Sequence, residues 1–229
     1  MIGIIGAMSI ETEAIIRELQ HAEECVVSGV RFVKGNWNGT EVVVATSGVG
    51  KVFAALCAEA MILKYQPDYI VNSGVAGALD PALHILNVVI GEDVVQHDMD
   101  TSPLGDPKGL LSGINKVELP ADAKLNAAFE KAAASLGIPT LRGRVASGDQ
   151  FIASDEQRVF IRTTFGAACC EMEGASIGQV CYVNGVPFTV LRAISDGAAD
   201  DAKMDYPAFA AKAAEQSIKI LKKAMEELR

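Results

Sequence analysis

Short apolar runs and amphipathic runs alternate along the whole chain. Met1 to Gly6 is apolar throughout and reads as a first buried strand. From Ser9 to Gln20 the spacing turns helical, with Ser9 placed as an N-cap and Glu11 and Glu13 in the first turn, where the helix dipole favours acids. Val30 to Trp37 and Glu41 to Thr46 then flank Asn38-Gly39, a dipeptide that tolerates positive φ at both positions and so predicts a tight hairpin.

The alternation continues with a helix over Val49 to Lys64, a short buried strand over Tyr69 to Asn72, and another strand over Val88 to Val95. Asp98 to Pro120 carries Gly, Pro and polar residues without a period, which predicts a long loop of the kind that often carries function. Beyond it come a helix at Asp122 to Leu136, a strand at Leu141 to Ser147 and a helix at Ala153 to Thr163. Next are a strand at Ala167 to Met172, a helix at Ala175 to Val183 and a strand at Pro187 to Ile194. In the last segment, Tyr206 to Leu228, the residues Ala214, Ile218, Leu221, Met225 and Leu228 form one apolar stripe. This is the pattern of an α/β fold, read as a single domain over residues 1–229 with a central mixed, twisted β-sheet flanked by helices.

Composition narrows what that fold serves. Half of the residues are hydrophobic and the net charge is −9, with no long basic run among the 20 Lys and Arg, so a nucleic-acid surface is not expected and a small ligand is. The apolar start has no basic leader and meets Glu11 and Glu13 at once, and no stretch reaches a membrane span. Five cysteines without a CxxC pair suit reduced thiols in the cytoplasm. His97-Asp98-Met99-Asp100 suggests a metal, but its spacing matches no structural zinc pattern, and no metal is expected.

In open α/β sheets ligands sit beyond the carboxyl ends of strands, which directs attention to four junctions. Gly6 to Glu11 leaves the opening strand, and there Glu11 is either a plain helix-start acid or a group facing the crevice. Asn72-Ser73-Gly74-Val75-Ala76-Gly77-Ala78 is small enough for its backbone to approach a ligand, although an ordinary tight turn explains it equally. Ser47-Gly48-Val49-Gly50-Lys51 is a further glycine-rich exit. It lacks the Gly and the hydroxyl residue of a P-loop, and Phe53 stands where a dinucleotide fingerprint needs glycine, so no cofactor is indicated.

Cys169-Cys170-Glu171-Met172-Glu173 ends an apolar strand in two acids that period two places on one side. A carboxylate there suits a sugar diol, and capping of the following helix is the alternative for either acid. Leu191-Arg192-Ala193-Ile194-Ser195-Asp196 closes the last strand. A buried Arg192 requires an acidic partner, and Asp196, with Ser195 beside it, faces the crevice unless it caps the next turn.

Taken in order, Ile2-Gly3-Ile4-Ile5-Gly6-Ala7-Met8 with Glu11, then Ser47 to Lys51, Ser147-Gly148-Asp149-Gln150-Phe151-Ile152, Glu171-Met172-Glu173 and Arg192 to Asp196 resemble the bacterial 5′-methylthioadenosine/S-adenosylhomocysteine nucleosidases. The match spans the chain except for the loop from about Thr101 to Pro120. The resemblance implies a nucleoside-phosphorylase-like fold, a homodimer, no cofactor, and hydrolysis of adenine thionucleosides in methionine salvage and methyl-cycle recycling. It also implies roles: Glu11 activates water, Glu173 holds the ribose hydroxyls beside Met172, and Asp196 protonates the purine at N7. Phe151 stacks on the base, the Ile152 backbone reads its edge, and Arg192 helps order Glu11 and the water. Met8, Val49 and Tyr206 wall the ribose and thioalkyl pocket. Val75 stands where relatives often carry Ser. A phosphorylase of the superfamily or a futalosine-type hydrolase is the alternative.

Overall fold

The computed structural model describes residues 1–196 and 206–228, with side chains in the last segment from Phe209 onward. Its spine is β5 (Tyr69–Ala78). On one side β5 pairs in parallel with β1 (Ile2–Gly6), which is followed by β4 (Thr40–Thr46), β3 (Val30–Trp37) and the edge strand β2 (Gln20–Val27). On the other, β5 pairs in parallel with β10 (Phe188–Asp196). The order then runs through β6 (Val88–Gln96), β8 (Thr140–Ser147) and β9 (Ala167–Glu171), and β9 returns antiparallel to the far end of β5. Five strands therefore close a small ring, and the short β7 (Leu119–Pro120) adds to β6.

Both faces of the sheet are covered, which is why the strands read as continuous apolar runs. Ile5, Val43, Ala45 and Ile70 pack under α2 (Lys51–Tyr65) and α5 (Gly174–Asn184), and Ile4, Val42, Val44 and Val71 face the opposite layer. That layer is α1 (Ser9–Glu18), α3 (Ala123–Ser135) and α6 (Tyr206–Glu227). α4 (Asp155–Phe165) closes a smaller cluster over Cys170 and Ala146.

Four expectations need correction. Ser9 is not the N-cap: the helix begins on it, Met8 holds the extended cap conformation, and the Glu11 carboxylate reaches back to the Met8 N–H at 2.9 Å, the carboxylate half of a capping box. The strand expected to stop at Asn72 runs to Ala78, because β10 and β9 flank its glycine-rich half. β2 escaped notice because its burial pattern is almost entirely exposed and leaves no alternation to read. The long loop is punctuated by a 3₁₀ turn at Ser102–Leu104 and by β7. The hairpin at Asn38-Gly39 holds, with φ of +50° and +86°.

Candidate active site

The ends of β1, β5, β9 and β10 meet around a cavity of about 240 Å³. Met8, Glu11, Val49, Val75, Ala76, Gly77, Phe151, Ile152, Met172, Glu173, Arg192, Ser195 and Asp196 all line it, so the described candidate residues of the catalytic and substrate-binding set converge there. Tyr206 opens α6, and its side chain lies outside the described residues.

Among the described residues Glu11 is held by backbone alone. One carboxylate oxygen accepts the Ala7 and Met8 N–H groups at 2.7 and 2.9 Å, and the other accepts the Val75 N–H at 3.1 Å. Burial raises its pKa above the ordinary glutamate value, against the opposing pull of the Arg192 charge and the three N–H donors. Gly74 makes the arrangement possible: a Cβ there would come within 2.6 Å of Glu11 Oε1 and would collide with the Arg192 guanidinium. The residue at position 75 serves Glu11 through its backbone N–H, which every residue but proline supplies.

The pair Glu171 and Glu173 divides its labour. The strand ends at Glu171, and Glu173 occupies the N-cap of α5 with φ −132° and ψ −40°, so the turn into the helix, and not strand alternation, brings both acids to the cavity. Glu171 is saturated: it accepts the N–H groups of Glu173 and Gly174 at 3.0 and 2.8 Å, the Ser147 hydroxyl, and the Arg192 guanidinium. Among the described residues Glu173 accepts a single N–H, from Gly50 at 2.9 Å, and lies 3.7 Å from Arg192. Burial first, and the neighbouring charge of Glu171 second, push the pKa of Glu173 up to about 7.

Arg192 is fully buried and bonds to Asn72, Glu171 and, at 3.3 Å, the Val75 carbonyl. The expected acidic partner is therefore Glu171. Arg192 forms no direct ion pair with Glu11 among the described residues and acts on it only through its charge. Asp196 receives the Ser195 hydroxyl at 2.9 Å and faces the Arg158 guanidinium at 3.5 Å. Phe151 stands at the lip with 63% of its surface exposed. Asp98 of the His-Asp run pairs with Lys51, and among the described residues no cluster of three or more His, Cys, Asp or Glu is placed to hold a metal.

Sequence reasoning missed Arg158 altogether, and it quoted Asn72 and Ser147 within motifs without giving either a role. Each is an ordinary polar residue in a helix or strand, and its partner lies 24 to 120 residues away. It also missed Cys170 and Gln150 in the lining.

With this geometry in place, the comparisons with known proteins align the whole chain. A family model described as the phosphorylase superfamily matches residues 1–226. A 5′-methylthioadenosine/S-adenosylhomocysteine nucleosidase of Shewanella halifaxensis is 39% identical over 218 residues, 94% of each chain. A solved structure of the corresponding nucleosidase from Colwellia psychrerythraea, in complex with adenine, superposes with TM-score 0.93 at 33% identity, over 99% of this chain and 95% of that one. The native structure of the futalosine hydrolase of Helicobacter pylori gives TM-score 0.92 at 38% identity, over 99% of this chain and 97% of that one.

Proposed function

We infer the chemistry from one premise: this chain belongs to the phosphorylase superfamily, on the branch of the 5′-methylthioadenosine/S-adenosylhomocysteine nucleosidases. It hydrolyses the N-glycosidic bond of methylthioadenosine and adenosylhomocysteine, releasing adenine and the thioribose product. The observation that carries the reading is the convergence of Glu11, Glu173 and Asp196 on one cavity of about 240 Å³.

Cleavage of this bond builds positive charge on the ribose and negative charge on the departing purine, so a base for water and an acid for the purine both lower the barrier. Glu11, raised by burial and oriented by three N–H groups, takes a proton from the attacking water. Glu173, with one donor among the described residues, has lone pairs left for the ribose hydroxyls, whereas Glu171 is fully engaged. Asp196, oriented by Ser195 and Arg158, delivers a proton to the purine at N7. Phe151 lies against the base, the Ile152 backbone reads its edge, and Met8, Val49 and Met172 bound the sugar and thioalkyl side, with Tyr206 added from the start of α6. Arg192 neutralises Glu171 and steadies the cluster as a whole.

Three glutamates around the cavity disfavour a phosphate anion, which supports hydrolysis over phosphorolysis. Adenine release from methylthioadenosine should proceed at the same rate with and without phosphate, and release only in its presence would refute the hydrolase reading. The resemblance to the Helicobacter pylori futalosine hydrolase favours a second substrate, futalosine, which the same assay tests by release of its base.

All 229 residues act as one catalytic unit without a cofactor. The enzyme works as a homodimer, a reading supported by the exposed apolar stripe Val52, Leu56 and Leu63 on α2, a helix packed against α5, on which Tyr182 and Val183 are also exposed. Cytoplasmic residence fits five cysteines that are all free, and among the described residues no helix is long and apolar enough to cross a membrane.

A further inference from the structure

Beside the cavity, three residues close a ring of hydrogen bonds. The Lys51 N–H, at the start of α2, donates to Asp149 Oδ1 at 2.7 Å. The Asp149 N–H donates to Asp98 Oδ2 at 2.8 Å. Asp98 Oδ1 in turn accepts Lys51 Nζ at 2.7 Å, so the chain of bonds returns to its origin. The Lys51–Asp98 pair is more than four-fifths buried at both ends, which shields it from the solvent screening that weakens surface pairs. Lys51 Nζ also reaches Gln96, which is bonded to Gln179 of α5, and this ties the ring to the helix that Glu173 caps.

The residue before Lys51 is Gly50, whose N–H is the single donor to Glu173 among the described residues. Gly50 holds φ +99°, a conformation that other residues rarely adopt, so the N–H can be aimed only if the flanking backbone is fixed. Asp149 fixes it directly, by bonding the next N–H along the chain. Burial alone would raise the pKa of Asp98, yet Lys51 and the Asp149 N–H more than offset this and hold it below the ordinary aspartate value, so the ring keeps its charge down to acid pH.

We propose that Lys51, Asp98 and Asp149 form a positioning device for sugar recognition: they aim the Gly50 N–H at Glu173 and so fix the carboxylate that meets the ribose hydroxyls. This rests on the reading of Glu173 given above. None of the three residues touches the reacting atoms in this scheme, and their effect is confined to the sugar.

The test compares kcat/KM for 5′-methylthioadenosine with that for its 2′,3′-dideoxy counterpart. Asp149→Ala should lower kcat/KM for the diol substrate roughly tenfold, the scale of one hydrogen bond to a charged group, mainly through KM. It should leave the dideoxy substrate unchanged. Asp149→Asn, which retains the accepting oxygen, should recover most of the loss. Equal losses on both substrates, or no loss on either, would overturn the positioning role. Wild-type enzyme that does not prefer the diol would show instead that Glu173 does not read the hydroxyls, and the inference would fall with that reading. Should Asp149→Ala melt early, Lys51→Met decides, with a smaller loss again confined to the diol.

Discussion

Glu11 and Val75, 64 residues apart, are joined by the Val75 N–H donating to a carboxylate oxygen at 3.1 Å. The bond ties the exit of β1 to the middle of β5 and aims a buried carboxylate into the cavity. The burial that comes with this placement has a consequence for pH.

Burial raises the pKa of Glu11, and only its ionised form can accept a proton from water, so kcat/KM should fall on the acid side as pH drops through that raised value. The acid limb is therefore expected above the ordinary glutamate value of 4.5. A limb at or below 4.5 in a pH profile would remove Glu11 as the base. Glu11→Gln should lower kcat by at least roughly a hundredfold while keeping the packing.

Asp196→Asn keeps the shape and the Ser195 contact but has no acidic proton to give. We expect kcat to fall by at least roughly a hundredfold, the lower range for general acid catalysis. A near-normal rate would refute the assignment.

Glu173 has its pKa raised, to about 7, so the stability of the neutral form is fully present below the unfolded value of 4.5 and is lost as pH rises through about 7. Glu173→Gln keeps an oxygen for the Gly50 N–H and never ionises. It should be more stable than wild type by about 1–3 kcal/mol at pH 8, with the gap closing below pH 4.5, while its activity falls. Denaturant titrations at the two pH values measure the gap, and a variant less stable at pH 8 would contradict the charge argument.

Arg192→Met removes the cation that Glu171 and Asn72 share and leaves a buried carboxylate without its partner. The expected cost is about 3–5 kcal/mol, read from the midpoint of chemical unfolding. A loss under about 1 kcal/mol would mean that Glu171 is satisfied by Ser147 and the backbone alone.

Leu63→Asp places a charge in the exposed stripe of α2 and should convert a dimer to a monomer in light scattering. An unchanged mass would move the interface elsewhere.

Much of this could be read from the residues in order, for identifiable reasons. The helix expected over Asp122 to Leu136 forms over Ala123–Ser135, and Asp122, read as its first residue, is instead its N-cap, the carboxylate accepting the Lys124 and Leu125 N–H groups. Glu11, Glu173 and Asp196 could be found because each ends an apolar run, where a charge has no packing reason to be. The partners could not. Nothing local marks Asn72 as the acceptor for a guanidinium 120 residues on, or Arg158 as the neighbour of Asp196, since those contacts exist only after the ring of strands has closed. Ser9 misled because serine is a common cap, whereas the extended residue here is Met8 and the helix already starts on Ser9.

The exposed ring of Phe151 carries one more implication. A planar base laid over it strips water from apolar surface, which gives association a negative heat-capacity change. That part of the grip slackens as the solution cools, whereas the hydrogen bonds offered by Glu173 do not share this dependence. At low temperature the pocket would come to know its ligand more by the sugar than by the base.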